Sequence, residues 1–598
     1  MRDIISSHQQ NFSGFETLNV STALNWSDVG ADGKMVVRVG AVGSGTNRFQ
    51  LSVSYIEVKF PQSFNVSAAI EKTFHLEINA SNKSYLELEN ASASLRIWDV
   101  TDSNNLVMIG TQTSGSILSA VVAGTQTSRT LYGSNSTITP LIKAVSFRQI
   151  DPVNHNYLII THRSLLKPAA SYVDVVRAYA AYRASPGGGN YDTLVVTVDQ
   201  LYNQFNYGET SSLAIYEFVK FMVNGGTPRY LFLIGKGRDV YSHRSVELSS
   251  SELKDLVPAA GVPSSDIAFS AGLKGTVYEP AIPTGRLSAT KPEQVAAYLN
   301  KVKETEIIFN NPGEDVWRKE GLHLSGGIQP FELTYFKDIV NNFKVVAEDF
   351  YWGGKITTLS KREPKPIELI NVSDEVNKGV NIITFFGHSS PNTIDIDIGY
   401  VTDPTLGYNN PGKYPAFLIN GCNAGNSFSN GISFGEDWMM ASNKGARNFI
   451  AHSSFGLVNT LQLYSDYFYR IGFGDSIFIT KGIGDVQMEV AKRYMSVYPA
   501  TISNITQVQQ MVLLGDPALK LFGSSKPDYE TNDNSIYLET LDGNPITALS
   551  DSFAIKVIVK NFGAARETPL KIKLSRLCHF HLKLQCHICQ IVHLLNSV

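Results

Sequence analysis

A histidine and a cysteine each follow an apolar run of strand length in this 598-residue chain. His388 ends the segment NIITFFGH, and Cys422 ends the segment YPAFLINGC. A thiolate attacks a carbonyl carbon far better than a thiol does, and a nearby imidazole can take the thiol proton and return it to a leaving amine. The two residue types therefore point to nucleophilic cleavage of an amide bond.

The residues next to this pair fit the same chemistry. Gly421 permits a tight turn from strand to loop and close approach of a substrate backbone. The backbone N–H groups of Ser389 and Cys422 could then point at the oxyanion of a tetrahedral intermediate. The alternative is purely structural, because a cysteine at a strand end is commonly a small buried apolar residue and a histidine after glycine is often a hydrogen-bond donor within its loop.

The segments that must position these residues alternate between strands and helices. The predicted strands are YLIITH, TLVVTV, RYLFLIG, LHLSGG, KITTLS, NIITFFG, YPAFLING and NFIAHSS, and helical patterns then run from about residue 456 to 513. This alternation predicts a parallel sheet with helices on both faces. Reactive groups collect at the carboxyl ends of such strands, so His388 and Cys422 share one rim if their strands are neighbours.

The pattern changes along the chain predict five parts. They are an N-terminal β-rich domain (1–150), a first α/β subdomain (151–315), a catalytic α/β subdomain (316–525), the start of an immunoglobulin-like β-sandwich (526–576) and an atypical, unfolded tail (577–598). In the first part, alternating runs such as 35–42 and 48–60 are separated by turn clusters, which is typical of a sandwich. The second sandwich looks cut short, because two or three strands cannot bury a core alone.

The tail has two interpretations. Its composition fits a truncated or frame-shifted end that does not fold. Its Cys and His residues also offer ligands for a zinc cluster, namely Cys586 and Cys589 with His579, His581 or His587.

Composition excludes several functional classes. The chain has 51 Lys+Arg and 54 Asp+Glu, and a net charge of −3 argues against a dedicated nucleic-acid binder. No run approaches the ~18 apolar residues of a transmembrane helix. Three of the four cysteines lie in the tail, which excludes a disulfide framework for the body. The first residues lack the order of a signal peptide, so we expect either a cytosolic protein or a start further upstream.

Two segments resemble the histidine and cysteine motifs of the gingipain family of cysteine peptidases. They are FFGHSSPNT and AFLINGCNAGNSF, and YLIITH, YLFLIGKG, VPSSD, IPTGR and LLGDPALKLF match that family in order. The flanking β segments, among them SYIEVKFPQSFN, are similar to the type IX secretion sortase branch. The resemblance covers roughly residues 48–575.

This resemblance implies a caspase-like α/β fold and cysteine endopeptidase activity. By motif position, His388 would be the general base and acid and Cys422 the nucleophile. It also implies export in Bacteroidetes-type bacteria, to the outside or to the outer-membrane surface. The substrate would be a protein or peptide, processed at a C-terminal sorting signal, and type IX secretion components would be possible partners. No cofactor is expected to be required.

The chain departs from the family pattern at two positions. The family usually has Gly-His-Gly where this chain has Ser389 after the histidine, and the added Cβ crowds the oxyanion site. An acid that orients the histidine is often found where this chain has Ala281, which leaves Asp266 and Glu279 as candidates for that role. If both departures are signs of decay, the chain is instead a catalytically inactive cell-surface or scaffold protein of the same fold.

Other residues carry weaker hypotheses. A specificity-pocket wall is expected after the strand NFIAH, at His452, Ser453, Ser454 and Phe455, although His452 could equally be a core histidine. Asp395 and Asp397 could be structural calcium ligands or exposed residues of an alternating segment. The segment 235–238, Gly-Lys-Gly-Arg, lacks the glycine spacing and the Lys-Ser/Thr pair of a phosphate loop, so nucleotide binding is not expected.

Overall fold

This computed structural model describes most of the chain. The described residues are 17–40, 53–61, 63–67, 71–142, 144–239, 242, 255–310, 316–524, 526–531, 533–547, 550, 552–565, 570–573 and 591–593. They belong to two units, Met1–Ala144 and Val145–Val598. The cysteines and histidines of the predicted zinc cluster lie outside the described residues.

Antiparallel strands make up the smaller unit. They are β1 (Glu71–Leu76), β2 (Lys83–Glu89), β3 (Arg96–Asp99), β4 (Val107–Ile109), β5 (Thr111–Ser114), β6 (Ile117–Ala123) and β7 (Arg129–Ser134). They form one sheet of order β1-β7-β3-β4 and another of order β2-β6-β5. Apolar residues from both sheets, such as Leu88 and Ile97, are buried in one core. The strands predicted at 35–42 and 48–60 are wrong where these segments are described, because 35–40 and 53–60 carry no strand.

The larger unit contains a ten-stranded sheet. Its strands are β8 (Tyr157–Thr161), β9 (Thr193–Thr197), β10 (Tyr230–Ile234), β11 (Thr284–Leu287), β12 (Glu320–Ser325), β13 (Lys355–Ser360), β15 (Ile382–Phe386), β17 (Ala416–Asn420), β18 (Asn448–His452) and β19 (Met511–Leu514). Two short strands, β14 (Glu368–Leu369) and β16 (Ile396–Asp397), pair beside it. The helices described are α1 (Val175–Ala184), α2 (Val198–Phe205), α3 (Leu213–Gly225), α4 (Pro292–Asn310), α5 (Pro330–Ala347), α6 (Ser373–Lys378), α7 (Phe434–Met440), α8 (Val458–Gly472), α9 (Ile483–Val497) and α10 (Ile502–Gln510).

The sheet consists of two parallel halves that run in opposite directions. The strand order is β13-β12-β15-β17-β18-β19-β11-β10-β8-β9. Neighbours within each half are parallel, and only β18 and β19 are paired antiparallel. The two predicted α/β subdomains thus share one sheet, because β19 lies between β18 and β11. The prediction of helices as far as residue 513 is wrong at this strand, which begins at Met511.

Alternate residues of the strands enter different cores, which places helices on both faces. Ile383 and Phe385 pack with α4 and α7 on one face, whereas Ile382 and Phe386 pack with α5, α8 and α9 on the other. In the half of the sheet that contains β8, β9 and β10, helices α2 and α3 cover one face. This three-layer arrangement is the predicted caspase-like α/β class.

Short antiparallel strand pairs follow the large sheet. They are β20 (Tyr529–Glu530) with β23 (Lys560–Asn561), β21 (Ile536–Glu539) with β22 (Ala554–Val557), and β24 (Lys571–Lys573) with β25 (Ile591–His593). The last strand lies in the tail that the sequence predicts to be unfolded, so the structure differs from the prediction at these three residues. In the part of the chain that the structure describes, no helix is long and apolar enough to cross a membrane.

Candidate active site

The strands that precede His388 and Cys422 are direct neighbours. β15 and β17 are parallel, with Phe386 opposite Asn420. The N–H of Gly387 donates to the carbonyl oxygen of Asn420 at 3.0 Å and extends this pairing by one residue. His388 and Cys422 therefore both lie two residues beyond a matched pair, on the same edge of the sheet. The expectation that their strands are neighbours is confirmed.

His388 contacts a carboxylate. Its Nε2 lies 3.1 Å from Oε1 and 3.2 Å from Oε2 of Glu332. Side-chain exposure is 40% for the histidine and 13% for the glutamate, so the ring faces solvent while its partner is largely covered. A carboxylate accepts hydrogen bonds, so we assign the proton to Nε2. This assignment leaves Nδ1 free to accept a proton from a reacting group.

Helix capping fixes Glu332 in place. Its Oε2 accepts hydrogen bonds from the N–H groups of Ile328 at 2.8 Å and Gln329 at 3.0 Å, at the first turn of α5. Burial by itself would raise the pKa of the Glu332 carboxyl, but hydrogen bonds from the two N–H groups and from His388 outweigh burial and lower that pKa. Glu332 is therefore ionised at neutral pH, next to the imidazole.

Neither acid proposed from the sequence is the partner of His388. Asp266 binds the buried guanidinium of Arg286 with both oxygens, each at 2.7 Å. Glu279 accepts the N–H of Tyr278 at 3.1 Å. The carboxylate at His388 is Glu332, which the sequence analysis missed. The signal for it is a glutamate three residues after Gln329, at the start of a helix that follows β12, the strand next to β15.

Cys422 lies on a tight turn beside two other loops. Its Sγ is 3.6 Å from the carbonyl oxygen of Gly456, and the residue is half-buried. The hydroxyl of Ser389 donates to the Cys422 carbonyl at 2.8 Å, which ties the histidine loop to the cysteine loop. A Cβ on Gly421 would meet the Ser389 hydroxyl at 2.2 Å, so only glycine permits this approach. Asn423 continues the turn with a φ of +59°.

Two backbone donors at this edge have no internal acceptor. Within the described residues, neither the N–H of Ser389 nor that of Cys422 donates to a protein group. The Ser389 side chain is engaged by the Cys422 carbonyl. Both N–H groups therefore stay candidates for the predicted oxyanion site.

The predicted pocket wall is only partly accessible. His452 is 1% exposed, and burial lowers its pKa to about 4. Ser453 is buried as well, and its hydroxyl donates to the carbonyl of Ser264 at 2.8 Å. Phe455, in contrast, is 75% exposed. The accessible part of this wall is therefore Ser454 and Phe455, whereas His452 and Ser453 belong to the interior.

The remaining candidates have internal partners. Asp395 is buried, accepts the N–H of Gly327 at 2.7 Å and lies 3.7 Å from Lys361 Nζ, so the prediction of an exposed residue is wrong there. Asp397 accepts the Thr393 hydroxyl at 2.9 Å. Within the described ranges, no group of three or more His, Cys, Asp or Glu residues is placed to hold a metal ion.

The Gly-Lys-Gly-Arg segment after β10 is tied to a distant helix. Lys236 Nζ donates to Glu436 Oε1 at 2.6 Å, and both side chains are almost fully buried. This pair joins the loop after β10 to α7, so the lysine holds two parts of the fold together.

Comparisons with known proteins found a family model and several solved structures that are similar to this chain. The model of peptidase family C25 matches residues 150–522. The Arg-specific cysteine proteinase gingipain R has 17% identity, covers 70% of this chain and 95% of its own, and gives a TM-score of 0.48. The complex of Porphyromonas gingivalis RgpB pro- and mature domains has 18% identity, covers 70% of this chain and 96% of its own, and gives a TM-score of 0.48.

Dimeric latent PorU from Porphyromonas gingivalis has 16% identity, covers 40% of this chain and 25% of its own, and gives a TM-score of 0.31. No curated protein sequence matches the chain.

Proposed function

Because this chain belongs to peptidase family C25 and is a cysteine peptidase, we propose that His388 and Cys422 are its catalytic dyad. One observation carries the assignment: parallel pairing of β15 and β17 brings both residues to one edge of the sheet. The carboxylate of Glu332 at His388 Nε2 supports it, because this partner holds the ring in one orientation.

The proposed reaction is an acyl transfer through a thioester. Nδ1 of His388 takes the proton of the Cys422 thiol, and the thiolate attacks the carbonyl carbon of the scissile amide. The N–H groups of Ser389 and Cys422 donate to the oxyanion that forms. The C–N bond then breaks, and the histidine returns the proton to the leaving amine. Water, activated by the same imidazole, hydrolyses the thioester and restores the thiol.

The proposed substrate is an exported protein, cleaved near a C-terminal sorting signal outside the cell or at the outer-membrane surface. Support comes from the sequences that flank the α/β part of the chain, which resemble those of the type IX secretion sortase branch. A thioester can pass its acyl group to water or to an amine acceptor, so the enzyme could also transfer the cleaved protein to an acceptor group. Type IX secretion components are the partners that this role requires.

Replacement of Cys422 tests the dyad. We expect Cys422→Ala and His388→Ala to lose turnover of a peptide substrate while urea unfolding stays close to wild type. Site-resolved alkylation by iodoacetamide near neutral pH gives a second readout, since a thiolate reacts much faster than a thiol. Cys422 should be alkylated rapidly in the wild type and slowly in His388→Ala, and the cysteines of the tail serve as internal controls.

The inactive scaffold is the competing function. It predicts no turnover by the wild type, slow alkylation of Cys422 and no dependence of alkylation on His388. Turnover that persists in Cys422→Ala would show that another group is the nucleophile.

A further inference from the structure

The first turns of two helices flank the dyad. Glu332, in the first turn of α5, contacts His388. Gly456 lies two residues before α8, and its carbonyl oxygen is 3.6 Å from the sulfur of Cys422. One helix therefore begins beside the base, and the other begins beside the nucleophile.

A hydrogen bond between side chains holds these two helices next to each other. The hydroxyl of Tyr335, on α5, lies 3.3 Å from Oε1 of Gln462, on α8. Residues four positions apart lie on the same face of a helix, one turn apart. Phe331 and Val458 are four residues before Tyr335 and Gln462. Phe331 and Val458 therefore lie on the same helix faces as Tyr335 and Gln462, one turn closer to the edge that carries His388 and Cys422.

The side chains at this position are apolar and accessible. Phe331 is 69% exposed and Leu457 is 54% exposed, while Val458 is half-buried. The first turn of α8 contains no acidic residue, and the one acidic residue in the first turn of α5, Glu332, is engaged by His388 and by the helix cap. Single exposed apolar residues are ordinary, but a group of them at a reactive edge marks a binding surface.

We propose that Phe331, Leu457 and Val458 form a substrate subsite, which binds a large apolar side chain of the polypeptide close to the scissile bond. This inference rests on the proposed dyad and adds a substrate class to it: polypeptides with an aromatic or branched aliphatic residue beside the cleaved bond. A charged side chain is disfavoured there, because the first turns of α5 and α8 offer it no charged partner other than Glu332, which is already engaged, and burial would remove its hydration.

The test compares two peptides that differ only in the residue next to the cleaved bond, Leu against Asn. We expect the wild type to prefer the Leu peptide and Phe331→Ser or Leu457→Ser to lower kcat/KM for that peptide about tenfold, mainly through KM. The kcat/KM for the Asn peptide should fall much less, so that either substitution lowers the preference for the Leu peptide. Phe350→Ser, an exposed phenylalanine just beyond the other end of α5, is the matched control and should change neither rate.

Binding separates this inference from the proposed dyad. In the Cys422→Ala background, fluorescence anisotropy measures the affinity for each labelled peptide without turnover. A preference for the Leu peptide that Phe331→Ser removes supports the subsite, whatever the catalytic result. Equal affinities, or a preference that survives both Phe331→Ser and Leu457→Ser, would overturn it. Loss of turnover in His388→Ala with the binding preference intact would leave the subsite standing.

Discussion

Replacing Glu332 by glutamine tests the orientation of His388, the proposed catalytic base. The carboxylate accepts from His388 Nε2 at 3.1 Å, which leaves Nδ1 for the proposed role of base. Glutamine keeps an oxygen for the helix-capping N–H groups of Ile328 and Gln329, and it then presents an amide N–H₂ to the imidazole. An amide donor favours the opposite tautomer, with the proton on the nitrogen that should accept the thiol proton.

The size of the effect follows from the contact that is lost. A hydrogen bond to a charged group contributes about 1.5–3 kcal/mol, which corresponds to roughly 10- to 150-fold in rate. The His388 side chain is 40% exposed, and solvent weakens the charge interaction, so we expect the lower part of that range. The loss should fall on kcat, because the imidazole is needed for proton transfer and not for binding.

Steady-state kinetics on one peptide substrate provides the assay. Glu332→Gln should lower kcat about 10- to 50-fold with KM within twofold, and urea unfolding should remain near wild type because the cap survives. Glu348→Gln, at the other end of α5, also replaces a carboxylate that accepts a backbone N–H, and it should leave kcat unchanged. If Glu332→Gln retains kcat within twofold of wild type, the carboxylate does not orient the base and the tautomer assignment is wrong.

Three other variants probe the site and its support. Ser389→Ala removes the 2.8 Å bond to the Cys422 carbonyl, and kcat should fall roughly two- to tenfold, since a hydrogen bond contributes about 0.5–1.5 kcal/mol. Asp266→Asn breaks a fully buried pair with Arg286 and should lower the free energy of unfolding by about 3–5 kcal/mol, measured by urea denaturation. Burial lowers the pKa of His452 to about 4, so between pH ~6.5 and about 4 this residue is protonated in the unfolded chain but not in the folded chain. The contribution of His452 to the free energy of unfolding is therefore present above pH ~6.5 and is lost as the pH falls to about 4, at about 1.4 kcal/mol per pH unit. Over that pH range, His452→Asn should lose less stability than the wild type. An equally steep loss in this variant would assign the acid sensitivity to other groups.

The sequence predicts the strands that precede His388 and Cys422, but not the contact between His388 and Glu332. The strands before His388 and Cys422 could be predicted because each is a short apolar run that ends at a glycine. The contact of His388 with Glu332 spans 56 residues and depends on β12 lying next to β15, an order that no local pattern encodes. Asp266 and Glu279 were chosen by their place in motifs, but Asp266 is needed to neutralise the buried Arg286.

Strand β19 illustrates the same limit in the fold. Its four residues, MVLL, follow α10 directly and are all buried, and a short apolar run cannot be distinguished from a buried helical segment by periodicity. Its place between β18 and β11 joins the two halves of the sheet. The prediction divided the chain into two successive subdomains. It could not anticipate that β19, at the end of the second subdomain, pairs with β11 of the first.

Ser389 and Ala281, the two departures from the family pattern, do not require an inactive scaffold. The hydroxyl of Ser389 donates to the Cys422 carbonyl, and its N–H has no protein acceptor among the residues that the structure describes. The alanine at 281 does not leave the histidine without an acid, since Glu332 supplies a carboxylate from the first turn of α5. A helix cap alone would be satisfied by glutamine as well as by glutamate. The Glu332 carboxylate contacts His388 at the same edge of the sheet as the half-buried Cys422, and this arrangement supports a working peptidase more than an inactive scaffold.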